Sequence, residues 1–258
     1  MKFQKMHGLG NDFVIIDARA DPVVLSEREI VEISNRRRGV GCDLVAVIGP
    51  SEMTDAQAKF FNADGSESGA CGNATRCIAD IVMGDLDKES CSIQVNDGVL
   101  PCRQVEGLLI EVDMGAARSV LDMELAYEGV SNPVAVDVGN PHLVFFVDDL
   151  KGINIEMLGQ YFENHEAFPN RTNVEFVQVM DNEHVRQKTW ERGCGITQAC
   201  GSGACAVTLA ALRRGLTGNK VSVELDGGIL HMEVRESDEH VLMRGPVAYV
   251  FDGTLNTL

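Results

Sequence analysis

The chain has 258 residues, which suits two domains of roughly 120 residues each, and 45% of its residues are hydrophobic. Its net charge of −17 argues against nucleic acid as a partner, because no basic face is available to neutralise phosphates. No apolar run approaches the ~18 residues that a membrane span needs, and no leader pattern follows Met1. We therefore expect no membrane partner and a cytoplasmic location.

The first half predicts strands around a glycine-rich turn, a capped helix, more strands and a helix that begins after Cys71. Ser26 is the expected N-cap of the first helix, with Glu29 at the capping-box position. The predicted strands span 3–16 (turn at 7–12), 44–48, 58–62, 91–95, 98–104 and 108–114, and the predicted helices span 26–37 and 71–83. Residues 115–129 lack strong periodicity and are predicted to form an inter-domain crossover.

The second half predicts a similar mixture. Strands are expected at 133–138, 143–147, 174–180, 184–191, 221–225, 229–234, 241–244 and 248–255, and helices at 154–162 and 200–214. Many strands and few helices, with one central helix in each half, indicate an α+β fold.

One motif occurs twice. The copies Ala70-Cys71-Gly72-Asn73 and Ala199-Cys200-Gly201-Ser202 place their cysteines 129 positions apart, and Asn11 and Asn140 have the same separation. A looser third correspondence aligns Leu44 with Phe176. The equal offsets predict two similar domains related by a pseudo-twofold axis. Cys71 and Cys200 are then expected to face each other across the cleft between these domains, where ligands often bind.

Each motif cysteine lies where a helix of small residues begins. Backbone N–H groups are free there and the helix dipole is positive. Such a place lowers a thiol pKa and binds a carboxylate. Two facing thiol groups suit racemisation or epimerisation, because one removes a proton from a carbon and the other delivers a proton to the opposite face. The amides of Gly72-Asn73 and Gly201-Ser202 are expected to hold the adjacent carboxylate as charge develops.

The other cysteines (42, 77, 91, 102, 194 and 205) are expected to be small buried hydrophobic residues. Their spacing matches no zinc pattern, so no metal site is expected. No glycine-rich phosphate loop follows a strand, so nothing supports a pyridoxal phosphate cofactor, although the sequence leaves that route open. Arg76 is expected on a helix surface and Trp190 in a packing role.

Taken together, the motifs resemble those of the diaminopimelate epimerase family. Members of this family are amino acid epimerases that use two cysteines and no cofactor. The resemblance covers nearly the whole chain. Its carriers are Met6 to Phe13, Phe61 to Ser66, Ala70 to Asn73, Gly139 to His142, Asn173, Glu191 to Gly193 and Ala199 to Gly203.

The resemblance implies interconversion of LL- and meso-diaminopimelate in lysine and peptidoglycan precursor synthesis, with no cofactor. It makes Cys71 and Cys200 the two bases. Residues around the reacting carboxylate would be Asn11, Gly72, Asn73, Gly201 and Ser202, and the distal amino acid head would meet Asn62, Asn140, Asn173, Glu191 and Arg192. His142 would tune a cysteine. The family fold also returns the C-terminal strand to the first domain, which gives a domain of residues 1–115 plus 247–258 and another of 116–246.

Simpler interpretations of these residues stay open. Asn62 and Asn140 are also turn formers, His142 is a common structural residue, and Glu191 with Arg192 makes an ordinary surface ion pair. Two positions depart from the family pattern, since Leu44 stands where Gln is frequent and Ile196 where Glu is frequent. Leu44 keeps open a racemase of another amino acid on the same scaffold. A non-catalytic amino-acid-binding protein is a separate alternative. A homodimer is a further expectation.

Overall fold

The computed structural model describes residues 1–69, 71–96 and 98–256, apart from the side chain of Leu108. Ala70 of the first cysteine motif and residues 257–258 of the predicted C-terminal segment lie outside the described residues. The chain divides into two compact units, Met1–Asp113 with Gly245–Leu258, and Met114–Arg244. Within the described ranges, no helix is both long and apolar enough to cross a membrane.

The first unit combines a mostly antiparallel sheet with helices. Its elements are β1 (Lys2–Gly8), β2 (Asn11–Asp17), α1 (Glu27–Ser34), β3 (Leu44–Gly49), β4 (Ala56–Asn62), β5 (Glu67–Ser68), α2 (Gly72–Leu86), β6 (Ser90–Val95), β7 (Gly98–Val105) and β8 (Leu109–Asp113). The α2 helix is the centre of this unit, because all residues from Gly72 to Ala79 are buried. A helix that is buried on every side must be surrounded by other elements.

The capping box predicted for α1 is confirmed, since Ser26 accepts from Glu29 N and Glu29 Oε2 accepts from Ser26 N. The helix ends at Ser34, three residues before the predicted end. Asn35 takes an extended conformation, and its Oδ1 accepts from the backbone N–H groups of Arg37 and Arg38 at 3.0 and 2.9 Å. The basic run therefore follows the helix in a turn, because the asparagine side chain competes with the helical backbone.

The second unit repeats this architecture. Its elements are β9 (Ser119–Asp122), β10 (Ala126–Tyr127), β11 (Val130–Ser131), β12 (Val134–Asp137), β13 (Pro141–Phe146), α3 (Ile155–Glu163), β14 (Asn173–Val179), β15 (His184–Glu191), β16 (Gly195–Thr197), α4 (Gly201–Arg213), β17 (Lys220–Leu225), β18 (Gly228–Val234) and β19 (Val241–Gly245). The final strand, β20 (Ala248–Thr254), belongs to the first unit, where it pairs with β1. The central helix of the second unit is α4, which is buried continuously from Gly203 to Ala211.

Strand pairing is the same in the two units. The pairs β1–β2, β2–β3, β3–β4 and β4–β6 are antiparallel, parallel, antiparallel and parallel, as are β12–β13, β13–β14, β14–β15 and β15–β17. Phe13 faces Leu44 in the first unit and His142 faces Asn173 in the second, so these strands keep the offset of 129. The predicted α+β fold of two repeats is thus confirmed.

The alignment of Leu44 with Phe176 is wrong by three residues, because the register makes Asn173 the equivalent of Leu44. Both strands are continuous apolar runs, which can be matched in several registers by sequence alone. The expected crossover is also more regular than predicted, since β9 pairs with β12 and β10 with β11. β9 is short and mostly exposed, so it lacks the alternation that reveals a half-buried strand.

Candidate active site

In the first unit, Cys71 is the N-cap residue of α2 and has extended backbone angles (φ −140°, ψ 103°). Its half-buried thiol donates to Asn11 Oδ1 across 4.0 Å. Gly72 and Asn73 form the first turn of the helix, and Asn73 Nδ2 donates to the same Asn11 oxygen at 3.2 Å. The predicted residues Asn11, Gly72 and Asn73 are therefore grouped around Cys71.

A network of charges fixes the orientation of Asn11. Asn11 Nδ2 donates to Asp43 Oδ2 at 2.9 Å, and Arg36 bonds both Asp43 and the neighbouring Asp12. Burial acts to raise the pKa of Asp12, but hydrogen bonds from Arg36 and Lys5 outweigh it and lower that pKa to about 2. Asn11 therefore presents its oxygen to Cys71 from a fixed position.

Asn62 lies at the end of β4, where its Nδ2 donates to Ser66 Oγ at 3.0 Å. Its backbone closes the same turn, since Asn62 N donates to Ser66 O at 2.8 Å and Gly65 N donates to Asn62 O at 2.9 Å. The structure thus shows a turn-forming role for Asn62. A role in substrate binding stays a prediction.

In the second unit, Cys200 is the N-cap residue of α4 and is buried. Its sulfur accepts from Gly203 N at 3.3 Å and lies 3.6 Å from Ser202 Oγ. Burial raises the pKa of Cys200 well above its ordinary value, and the charges of Glu191 and Glu175 raise it further, while Ser202 and Gly203 act in the opposite direction. The expected lowering of this thiol pKa is therefore wrong.

A chain of hydrogen bonds leads away from Cys200. Asn140 Nδ2 donates to Ser202 Oγ at 3.3 Å, and Asn140 Oδ1 lies 3.1 Å from His142 Nε2. The other ring nitrogen, His142 Nδ1, lies 2.8 Å from Glu175 Oε1. The ring of His142 is thus connected to the cysteine through one amide and one hydroxyl group.

Three of the five residues predicted for the distal head lie together, with Asn173 at the start of β14 and with Glu191 and Arg192 at the end of β15. Asn173 Oδ1 accepts from Arg192 N at 3.0 Å, and Asn173 Nδ2 donates to Pro141 O at 3.0 Å. Glu191 Oε1 accepts from Thr197 Oγ1 at 2.5 Å, and Arg192 Nη1 donates to Asn170 O at 3.1 Å. These side chains have fixed positions and offer a carboxylate and a guanidinium group.

The predicted site residues occupy equivalent positions in the two repeats. Residues 129 positions apart in the matched strands and helix starts form the pairs Asn11 with Asn140, Asn62 with Glu191, Cys71 with Cys200, Gly72 with Gly201 and Asn73 with Ser202. The residue of the first repeat that is equivalent to Asn173 is Leu44, which is 6% exposed. Equivalent positions in the two units therefore carry different side chains.

A sequence model of the family described as "Diaminopimelate epimerase" matches residues 3–120 and 134–250. The chain belongs to the diaminopimelate epimerase family. It is 46% identical to the diaminopimelate epimerase of Acidiphilium cryptum, covering 98% of this chain and 96% of that relative. It is 45% identical to that of Rhodospirillum centenum (99% and 92%) and 38% identical to that of Methanococcus maripaludis (99% and 100%).

Solved structures of the same fold belong to several kinds of protein. A phenazine biosynthesis protein of the PhzF family from Bacillus anthracis superimposes with a TM-score of 0.76 at 17% identity, covering 100% and 99% of the two chains. A hydroxyproline epimerase from Agrobacterium vitis gives 0.73 at 15% identity, covering 98% and 91%. Similarity at this level shows a shared fold.

Some residues at the site were missed by the sequence analysis. Glu175 is buried at 0% exposure, and its signal was a charged residue inside the apolar run of β14. Arg76, expected on the surface of α2, is also at 0% exposure. A Cβ atom at Gly8 would lie 2.9 Å from Arg76 Nη2, so the guanidinium group packs against the turn that carries Asn11. The small residues around Arg76 gave no indication of this.

The remaining cysteines divide into two groups. Cys42, Cys77, Cys91, Cys102 and Cys205 are buried, as predicted. Cys194 is exposed, so the expectation that it is buried is wrong. It lies in the turn between β15 and β16, where the chain reverses direction and leaves the side chain outside. Trp190 packs against the core of its unit, as expected.

Proposed function

We propose that the protein interconverts LL- and meso-diaminopimelate by proton transfer between two cysteines, as the family's name indicates for its members. The observation that carries the proposal is the placement of Cys71 and Cys200 at the N-caps of the central helices of two equivalent repeats. A symmetric pair of acid–base groups suits inversion of a single carbon, because each direction of the reaction uses the same two groups in exchanged roles.

In the proposed step, one cysteine thiolate removes the α-hydrogen and becomes a thiol. The electron pair of the broken C–H bond moves toward the neighbouring carboxylate. The other cysteine thiol then donates its proton to the opposite face of the carbon and becomes the thiolate. No oxidant or reductant is consumed. The helix N-termini at Gly72-Asn73 and Gly201-Ser202 stabilise the carboxylate as negative charge builds on it.

The distal head of the substrate carries a second carboxylate and a second ammonium group. Arg192 is assigned to the carboxylate, because a guanidinium group binds carboxylates in a planar geometry. Glu191, oriented by Thr197, is assigned to the ammonium group. Asn62, Asn140 and Asn173 supply the remaining donors and acceptors, and His142 tunes Cys200 through Asn140 and Ser202.

Two further assignments are part of this proposal. The protein acts in the cytoplasm, where its amino acid substrate is made and used.

It also forms a homodimer through β20, where consecutive apolar side chains are exposed: Tyr249 (57%), Val250 (50%) and Phe251 (44%). An exposed apolar patch on one strand is typical of an interaction surface. Sedimentation at micromolar concentration with the Tyr249→Ala variant as the comparison tests the dimer.

The activity is tested by incubating the reduced protein with LL-diaminopimelate in deuterated water and following the α-hydrogen by NMR. Exchange of this hydrogen with formation of the meso isomer is expected, and Cys71→Ser and Cys200→Ser should each remove at least 99% of turnover. Their matched control is Cys205→Ser, five residues beyond Cys200 inside α4, which should stay active. Exchange that survives both active-site substitutions would contradict the two-cysteine mechanism.

A racemase of another amino acid is the second candidate, and the observation that favours it is the buried, apolar Leu44 at the position equivalent to Asn173. It would be supported if single-headed amino acids were turned over and diaminopimelate was not. A binding protein without catalysis is the third candidate, and any substrate-dependent exchange excludes it.

A further inference from the structure

Beneath the start of α4 lies a group of buried polar side chains, which we term the buried polar cluster. Its members are His142, Glu175, Gln187 and Thr189, and their exposed fractions are 0%, 0%, 1% and 2%. Glu175 Oε1 contacts His142 Nδ1 at 2.8 Å, and Gln187 Nε2 donates to Thr189 Oγ1 at 2.8 Å. A buried carboxylate is costly unless it is paired, so such a cluster requires an explanation.

The first repeat is an internal control for the cluster. The matched registers make Phe13, Ala46, Ala58 and Phe60 the equivalents of the four polar residues. All four are apolar, and each is at most 1% exposed. The first unit therefore forms the same strand pairing without any polar group at these positions. The fold does not need the cluster, which points to a function specific to Cys200.

The helix above the cluster is shaped to accommodate it. A Cβ atom at Gly203 would lie 2.7 Å from Glu175 Oε1 and 2.9 Å from Gln187 Nε2. The equivalent residue in the first repeat is Ala74, which keeps its methyl group. Glu175 therefore lies directly against the first turn of α4, where the positive end of the helix dipole favours a negative charge.

The hydrogen-bond chain links the protonation of His142 to the hydroxyl group beside Cys200. With Asn140 Nδ2 donating to Ser202 Oγ, the Asn140 Oδ1 that faces His142 Nε2 is an acceptor, which favours a hydrogen on that nitrogen. The other ring nitrogen, Nδ1, faces Glu175 Oε1, which is an acceptor when the carboxyl group is ionised. The form of the ring that donates to both acceptors is the imidazolium. Ser202, having accepted from Asn140, is left to donate its own hydrogen toward the sulfur 3.6 Å away.

We propose that Glu175 is a positioning residue that holds His142 in the doubly protonated form, so that Asn140 and Ser202 direct a hydroxyl hydrogen to the Cys200 thiolate. In Glu175→Gln the ring keeps a single proton on Nδ1, which it donates to the amide oxygen of the new side chain, and Nε2 becomes an acceptor. The side-chain amide of Asn140 then flips, so that Nδ2 donates to His142 Nε2 and Oδ1 accepts from the Ser202 hydroxyl group. The Cys200 thiolate thereby loses its hydrogen bond from Ser202. The catalytic meaning of this chain depends on the proposed epimerase function, whereas the protonation state of the ring does not.

The charges around Cys200 agree with such a role. The groups that face it are Glu175 from β14, Glu191 from β15 and the N-terminus of α4, with His142 from β13 one step further away. Two carboxylates alone oppose a thiolate at this position. A protonated His142 neutralises Glu175, which leaves the helix N-terminus and the Ser202 hydroxyl group to stabilise the thiolate.

The first test uses the ring nitrogens and needs no substrate. Protein labelled with ring-15N histidine is observed by NMR at pH 7, and His142→Gln identifies the signals of His142. Wild-type protein should show two protonated nitrogens, and Glu175→Gln should show one. A singly protonated ring in the wild-type protein, or an unchanged ring in Glu175→Gln, would overturn the proposal. If Glu175→Gln does not fold, the wild-type spectrum alone still decides.

The second test separates positioning from stability. Glu175→Gln should lower kcat by about 10- to 100-fold, the range found when a metal-bound histidine loses the carboxylate that orients its ring, with KM changed less than twofold. In a Ser202→Ala background the same substitution should cause no further loss, because the chain is already broken. The control is Glu111→Gln, a carboxylate of the first unit that is 5% exposed and bonded to Arg103, which should retain its kcat.

If Glu175→Gln lowers kcat by the same factor in the Ser202→Ala background as in the wild-type protein, the hydrogen-bond chain through Ser202 is refuted. If the wild-type protein does not turn over diaminopimelate at all, the proposed function fails. The NMR result then still tests the role of Glu175.

Discussion

Replacing Asp12 with Asn tests how charge supports the framework around Cys71. Asp12 accepts from Arg36 at 2.7 and 3.0 Å and from Lys5 at 2.5 Å, and its side chain is only 17% exposed. Its pKa is about 2 instead of 3.8. At about 1.4 kcal/mol for each pKa unit, this difference corresponds to about 2 kcal/mol of stability. The substitution also leaves the buried Lys5 ammonium with Gly41 O as an acceptor, so we expect a loss of about 2–3 kcal/mol at pH 7.

The contribution of Asp12 to stability depends on pH. Because the pKa of Asp12 is lower in the folded protein than in the unfolded chain, its contribution is complete above the unfolded value and is lost as the pH falls through about 2. The difference between wild-type protein and Asp12→Asn should therefore be largest above pH 5, and the titrating part should decrease to about half at pH 3. Urea denaturation of both proteins at pH 7, 4 and 3 measures it.

Asp238 provides the matched control. Its pKa is also lowered to about 2, by hydrogen bonds from Arg235 at 2.7 and 2.8 Å, but its side chain lies at the surface. Solvent and salt screen such a pair, so Asp238→Asn should leave the denaturation midpoint almost unchanged. Equal losses in the two variants, or an Asp12 effect that is as large at pH 3 as at pH 7, would refute the argument from burial.

Three shorter predictions concern Gly203, Thr197 and Cys194. Gly203→Ala places a methyl group 2.7 Å from a buried oxygen, so it should reduce stability by roughly 1–3 kcal/mol in urea denaturation, and a neutral result would show that the cluster can move aside. Thr197→Val removes the 2.5 Å donor to Glu191 and should raise KM for diaminopimelate about tenfold with little change in melting temperature; an unchanged KM would exclude this orienting role. Cys194, being exposed, should react with a bulky maleimide before Cys77, whose pKa burial raises to about 12, and mass spectrometry of digests should find the first label on Cys194.

The sequence was sufficient for features that depend on local or periodic patterns. The capping box of α1 follows from Ser26 and Glu29, because a cap is a contact within one helical turn. The duplication follows from the spacing of 129 positions that recurs between motif residues of the two halves. The positions of Cys71 and Cys200 at helix starts follow from the Cys-Gly turns and the small residues after them.

Tertiary structure decided everything that depends on which elements pack together. The sequence gives no reason to place Arg76 inside its unit, because the turn at Gly8 that makes room for it comes from a distant strand. The raised pKa of Cys200 has the same origin, since burial and two carboxylates from β14 and β15 outweigh the helix dipole that the local sequence supplies. The buried polar cluster joins three strands and one helix, and its contrast with the apolar first repeat becomes visible only when strand registers are matched. Local sequence therefore determines where each thiol stands, while long-range packing determines its electrostatic environment.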